Sequence, residues 1–220
     1  MNKVIITQSN YIPWKGYFSA MRKATHLVLY DDMQYTKRDW RNRNMLITPN
    51  GPKWLSIPID VKGKYHQKIN EAQISDSNWG ENHWNFIKNN YRNSPYFEEY
   101  QHHFIDLYLN QSSSYLSDIN LDFIKKIITL LEIDIKVISS KEFNLKGDKT
   151  EKLNAEKYYT GPAAKNYMDE ILFTNNNIEI EYYNFSGYPE YKQQWEGFSH
   201  AVSILDMFFN LGPKTIKYFN

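Results

Sequence analysis

The sequence predicts an α/β fold: an N-terminal βαβ unit with a parallel sheet, a β-hairpin and a largely helical second half. Three observations predict it. An apolar run at 3–7, a helix-compatible stretch and a second apolar run at 26–30 fit within thirty residues; two strand-like segments flank a Pro-Asn-Gly-Pro turn at 49–52; and apolar residues recur at helical spacing from about 79 to 131. At 220 residues the chain suits one domain, with 79–131 as its helical region, and is long enough to close a hydrophobic core.

The run at 3–7 is bounded by polar residues, as expected of a strand buried on both faces. A helix over 16–24 turns Phe18 and Met21 inward, and 26–30 returns as a strand. Strand, helix, strand over so few residues gives parallel pairing, and ligands of parallel sheets sit beyond the carboxyl ends of the strands. The polar segments 8–15 and 31–34 fall there and share one crevice.

Strands at 44–48 and 53–59 form the hairpin, with Asn50-Gly51 supplying the tight turn. The stretch 61–73, with Gly63, Lys62, Lys64, His66 and Lys68, reads as a mobile polar loop. Helices follow at 79–91, 96–109 and 117–131, the second opened by Ser94-Pro95. A strand is expected at 133–138, a charged loop at 143–154, short helices at 153–159 and 165–173, and a strand at 178–183. The apolar stretch 199–210 is a core helix ended by Gly212-Pro213.

Composition narrows the function classes. Twenty-six basic and 25 acidic residues leave a net charge of +1, so recognition of an anion must come from a local cluster. With no cysteine, disulfides, a thiolate nucleophile and cysteine-ligated metals are excluded. No stretch approaches the roughly 20 apolar residues of a membrane span, and no secretory leader pattern opens the chain, so a soluble cytoplasmic protein is expected. Aromatic residues make up 16%, with 18 Tyr and 6 Trp, many beside polar groups as in carbohydrate- and nucleotide-binding surfaces.

The expected substrate contacts are Gln8, Asn10, Tyr11, Trp14 and Lys15 after the first strand. A second set is Gln34, Tyr35, Lys37, Arg38, Trp40, Arg41, Asn42 and Arg43, where cations and rings alternate as in a diphosphate clamp or a docking surface. Trp14 either stacks on a ligand or seals the core. Lys165 follows Gly161-Pro162 near a helix start, an anion-binding arrangement or a plain turn. Asp32 and His83 are the candidates for moving a proton. Asp31 and Asp32 are adjacent in extended chain, so one of the two enters a given pocket. His102 and His103 face apart, and no His, Asp or Glu spacing indicates a metal.

The segments Q-S-N-Y-I-P-W-K-G-Y-F at 8–18, D-D-M-Q-Y-T-K-R-D-W-R-N-R-N at 31–44, H-W-N-F-I-K-N-N-Y at 83–91, S-P-Y-F at 94–97, G-P-A-A-K-N-Y at 161–167 and S-I-L-D-M-F-F-N-L-G at 203–212 together resemble the WbqC-like proteins, in order and over nearly the whole chain. The resemblance implies a setting in O-antigen and other lipopolysaccharide or surface-polysaccharide biosynthesis. It also implies transfer of an acyl or aminoacyl group, such as glycyl, to an activated amino sugar or related metabolite. The implied partners are a nucleotide-linked sugar and, as donor, an acyl or aminoacyl carrier protein or an aminoacyl-tRNA; no cofactor is implied. A fainter likeness to nucleotidylyltransferases stops at their H-x-G-H signature, whose histidine positions hold Trp14 and Tyr17. A non-catalytic nucleotide-sugar binding or scaffolding protein is the alternative, and a nucleic-acid binder using the arginine segment is a third.

Overall fold

The computed structural model describes residues 2–140 and 154–219. Its centre is a five-stranded sheet of β1 (Lys3–Thr7), β2 (His26–Leu29), β5 (Lys136–Ser139), β6 (Lys157–Thr160) and β7 (Glu179–Tyr182). The spatial order is β5-β2-β1-β6-β7, and every neighbouring pair is parallel. The chain therefore lays strands outward from β1 on one side, then returns to its other side with β6 and β7. That reversal makes the gap between β1 and β6 a topological switch point.

Alternation along β1 explains why Val4, Ile5 and Ile6 are apolar in succession. Val4 packs with Val28, Ile138, Ala155 and Ile178 on one face, while Ile5 joins Phe18, Leu27 and Leu29 on the other. Each of these Val, Ile, Leu and Phe side chains contributes about 1.5–3 kcal/mol when fully buried. α1 (Lys15–Met21) connects β1 to β2, and α5 (Glu170–Asn175) connects β6 to β7.

Between β2 and β5 the chain inserts the antiparallel hairpin of β3 (Arg43–Thr48) and β4 (Gly51–Ser56), then α2 (Trp79–Tyr91), α3 (Phe97–Leu109) and α4 (Leu116–Leu130). Gly51 takes φ +83° to close the hairpin turn. Gly80 lets α2 approach α3 so closely that a Cβ there would lie 1.9 Å from the Tyr108 carbonyl oxygen. α6 (Ile204–Leu211) is buried along its whole length, capped by the Ser203 hydroxyl, which accepts from the Leu205 N–H. Phe208 and Phe209 of α6 pack on Tyr100, Phe104, Phe97 and Tyr91.

The expected α/β class, hairpin and helical region are all present. Three expectations are corrected. The short helix expected at 153–159 is replaced, from residue 157, by β6, whose Lys-Tyr-Tyr-Thr sequence fills the place beside β1 where a strand completes the ladder. The helix expected at 165–173 divides into a 3-10 turn, Pro162–Asn166, and α5, because Asp169 caps a new start by accepting from the Ile171 and Leu172 N–H groups. The stretch at 61–73 contains a 3-10 turn, Ile69–Glu71, and buries Ile69 and Ala72 in the main core, so two apolar residues anchor that polar run. The charged loop expected at 143–154 lies, apart from Asn154, outside the described residues.

Candidate functional site

β1 delivers the loop 8–14 to the switch point, and the loop is held in an uncommon shape. Ile12 has φ +37°, a costly conformation for a β-branched residue. Asn44 of β3 secures it by donating Nδ2 to the Ile12 carbonyl at 2.9 Å. Ser9 is fixed beneath it: its N–H donates to Asp31 Oδ1 at 2.8 Å, and its hydroxyl accepts from Asn120 Nδ2 at 3.1 Å. Burial raises the Asp31 pKa, while the Ser9 hydrogen bonds and the Arg41 charge pull the other way.

Arg41 completes this loop. Its Nη2 donates to Gln8 Oε1 at 2.5 Å and its Nη1 donates to Asn10 Oδ1. Asn120 Nδ2 donates to the Arg41 carbonyl at 2.9 Å, which holds the backbone as well. Both side-chain acceptors are neutral amides, and the Asp39 carboxylate stands off at 3.8 Å. The fork itself supplies no counter-charge; the ionic partner of this part-buried guanidinium is Asp39 at 3.8 Å, a long contact with which an incoming anion competes.

Beside the fork, at the carboxyl ends of β1 and β6, lies a cavity of about 420 Å³. Thr7, Gln8, Tyr17, Tyr159, Thr160 and Gly161 are among its lining residues, with Tyr30, Met33 and Tyr167 also contributing. Tyr17 ties cavity to fork by donating its hydroxyl to the Gln8 carbonyl at 3.2 Å. The volume suits a small-molecule ligand, and the rings and hydroxyls suit a polyol or a heterocycle. Among the described residues no charged side chain lines it, and Arg41 reaches its lining through Gln8.

Residues 8–218 match the model of the WbqC-like protein family. The chain belongs to the WbqC-like family. It is 40% identical over 225 residues to the uncharacterized protein Rv1507c of Mycobacterium tuberculosis, an alignment covering 99% of this chain and 97% of that one. No solved structure matches the chain.

The expected site residues of this WbqC-like chain separate into groups. Gln8, Asn10 and Arg41 come together at the switch point. Tyr11 is instead fully buried, its hydroxyl 2.8 Å from His83 Nδ1 and 3.1 Å from the Tyr108 hydroxyl. His83 is buried too, with Nε2 3.1 Å from the Ser56 carbonyl. A carbonyl only accepts, so Nε2 carries the ring proton and Nδ1 accepts from Tyr11, whose oxygen then takes the Tyr108 proton. Both nitrogens of His83 are thus occupied, and burial pushes its pKa down to about 4.

Trp14 packs edge-on against Tyr188 and tilted against Phe185. Lys15 is buried, its Nζ donating to His200 Nδ1 at 2.7 Å and lying 5.1 Å from the Tyr188 ring and 5.5 Å from the Tyr191 ring. Desolvation lowers its pKa to about 8 against the pull of Asp206 and Glu190. Asn42 is buried and donates to the Ile57 carbonyl at 2.7 Å. Arg43 lays its guanidinium 4.0 Å from the Trp54 ring centre, and Trp40 tilts against the same tryptophan. Tyr35 is buried, which raises its pKa to about 12. Lys37 and Arg38 are exposed. Lys165 is exposed and lies over the Tyr182 ring at 4.6 Å.

Asp32 is half-buried, its Oδ1 accepting from Asn70 Nδ2 at 3.1 Å, while Gln34 donates Nε2 to the Tyr65 carbonyl at 2.8 Å. Sequence reasoning missed Tyr17, Tyr158, Tyr159 and Tyr183 as cavity walls. Reading Lys157–Thr160 as a strand would have found two of them, but four residues carry no strand pattern of their own.

Proposed function

We propose that this WbqC-like protein is a cytoplasmic transferase that binds a nucleotide-linked amino sugar at the switch point and moves an acyl or aminoacyl group onto its amine. The observation that carries the reading is the Arg41 guanidinium, held by the neutral amides of Gln8, a residue of the tyrosine-lined cavity, and Asn10, with Asp39 at 3.8 Å as its ionic partner. Arg41 takes a phosphate oxygen of the diphosphate, and the rings take the faces of sugar or base.

In the reaction the amine attacks the carbonyl of a thioester or ester donor: a C–N bond forms and the C–S or C–O bond breaks. Asp32 accepts the proton released by the amine, and the leaving thiolate or alkoxide is protonated in turn. Asp32 suits this role better than His83, because it is solvent-accessible between two cavity residues in sequence, Tyr30 and Met33, whereas both ring nitrogens of His83 are taken. The biosynthetic setting is surface-polysaccharide assembly, including O-antigen, as the family resemblance implies.

A second reading, a non-catalytic nucleotide-sugar binder, draws support from one observation: among the described residues, the cavity lining carries no carboxylate, lysine or histidine. Thermal-shift titration with nucleoside diphosphates and nucleotide sugars, followed by mass spectrometry with aminoacyl-loaded carrier protein and aminoacyl-tRNA, separates the two. The transferase reading expects a stabilising nucleotide sugar and an acylated product that disappears in Asp32→Asn while binding persists. Binding without product from either donor supports the second reading, and no binding removes both.

A further inference from the structure

A second pair of cavities flanks residues 63–67, away from the switch-point lining. One, of about 550 Å³, is lined by Gln34, Lys37, Lys64, Tyr65 and Gln67 among others; the other, of about 750 Å³, shares Lys64, Tyr65 and Gln67 and continues past Asn70 to Tyr115. The wall between them is braced by the Tyr35 N–H, which donates to the Gln67 carbonyl at 2.9 Å, and by the Gln34 bond to the Tyr65 carbonyl.

Their chemistry is unlike that of the first. Lys37 is exposed and in no ion pair among the described residues, while Lys64 reaches Asp60 at 2.7 Å. Tyr65 is 79% exposed, an unusual position for so large a ring. Gln67 is buried and donates Nε2 to the Asp60 carbonyl at 3.1 Å, which fixes its amide orientation, because that carbonyl can only accept. Its Oε1 is then left buried with no donor, a state that normally demands a partner. Two lysines, one of them paired with Asp60, an exposed tyrosine whose ring meets His66 edge-to-face, and a glutamine with an unsatisfied amide oxygen line one cavity.

We infer that this is a second ligand site, for a phosphate ester that also carries an N–H donor. The lysines take the phosphate, Gln67 Oε1 takes the N–H, and Tyr65 covers the flat part of the ligand. A nucleotide and a phosphopantetheine arm share that chemistry. Asp32 lies in the chain between Tyr30 and Met33, which line the first site; Gln34, two residues on, begins the second, and Asn70, the partner of Asp32, lines the neighbouring cavity. Only the naming of one site for the acceptor and the other for the donor rests on the transferase reading. The binding stands without it.

The test is isothermal titration of adenosine monophosphate and of phosphopantetheine into the wild-type protein, Lys37→Ala with Tyr65→Ala, and Arg41→Ala. Lys37 and Tyr65 are exposed, so the double variant keeps the fold. At least one probe binds the wild type, weakens about tenfold or more in the double variant, and changes less than about twofold in Arg41→Ala; which probe binds tighter names the source of the phosphate. Failure of both probes to bind at millimolar concentration overturns the site, as does indifference to the double variant or loss in Arg41→Ala. If nucleotide sugars fail to bind anywhere while a probe binds in this pattern, the proposed function falls and this site remains.

Discussion

Arg41 donates Nη2 to the Gln8 side-chain oxygen at 2.5 Å, joining the segment before the hairpin to the loop that leaves the central strand. Removing a charge-assisted contact to phosphate costs about 1.5–3 kcal/mol, so Arg41→Ala weakens nucleotide-sugar affinity by about 10- to 100-fold. Arg41→Lys keeps the charge but cannot reach Gln8 and Asn10 together, and it restores only part of the loss. Isothermal titration at low and high salt checks both. A lysine variant equal to wild type contradicts the importance of the fork.

His83 is held neutral in the folded protein, with its pKa lowered from 6.5 to about 4 by burial. Between those values the unfolded chain binds a proton that the folded chain does not, so this stabilisation is complete above pH 6.5 and is lost as pH falls through 4. The loss amounts to about 3 kcal/mol. Urea unfolding of wild type and His83→Gln between pH 7 and 4 reads it as a steeper acid decline in the wild type. Parallel declines contradict a neutral, locked histidine.

Tyr91 donates its hydroxyl to Asp206 Oδ2 at 2.7 Å and accepts from the Ile47 N–H at 2.9 Å, linking α2, α6 and β3. Tyr191 and Gln193 supply further donors to the same buried carboxylate. Tyr91→Phe leaves the Ile47 N–H unsatisfied and removes one donor from a buried charge, for a loss of about 3 kcal/mol. Chemical denaturation measures it, and a change within experimental error contradicts the network.

Gly80→Ala gains helix propensity of about 1 kcal/mol yet places a methyl group against the Tyr108 carbonyl. Backbone cannot yield as a side-chain tip can, so the overpacking cost of about 1–3 kcal/mol prevails. A lowered unfolding midpoint is expected. A raised one shows that α2 and α3 separate easily.

The elements that set the fold were legible where local pattern and tertiary role agree: Lys3–Thr7 reads as a strand because both its faces are covered, and α2 to α4 read as helices because each buries one stripe. Lys157–Thr160 was not legible, since four residues form a strand there only because β1 offers a free edge. Among the site residues, composition pointed to the loops at 8–15 and 31–43 but could not sort Arg41, which turns to Gln8 and Asn10, from Arg43, which lies on Trp54. Nor does sequence distinguish a histidine open to solvent from His83, whose partners Tyr11 and Ser56 are 72 and 27 positions away.

The central claim places a nucleotide-linked sugar in the switch-point cavity with its diphosphate on Arg41. The most direct measurement is a crystal structure of the protein with a nucleoside-diphosphate amino sugar. The account predicts ligand density between Gln8 and Gly161, with a phosphate oxygen within hydrogen-bond distance of the Arg41 guanidinium. Density at another place on the surface, or an empty cavity at saturating ligand, contradicts it.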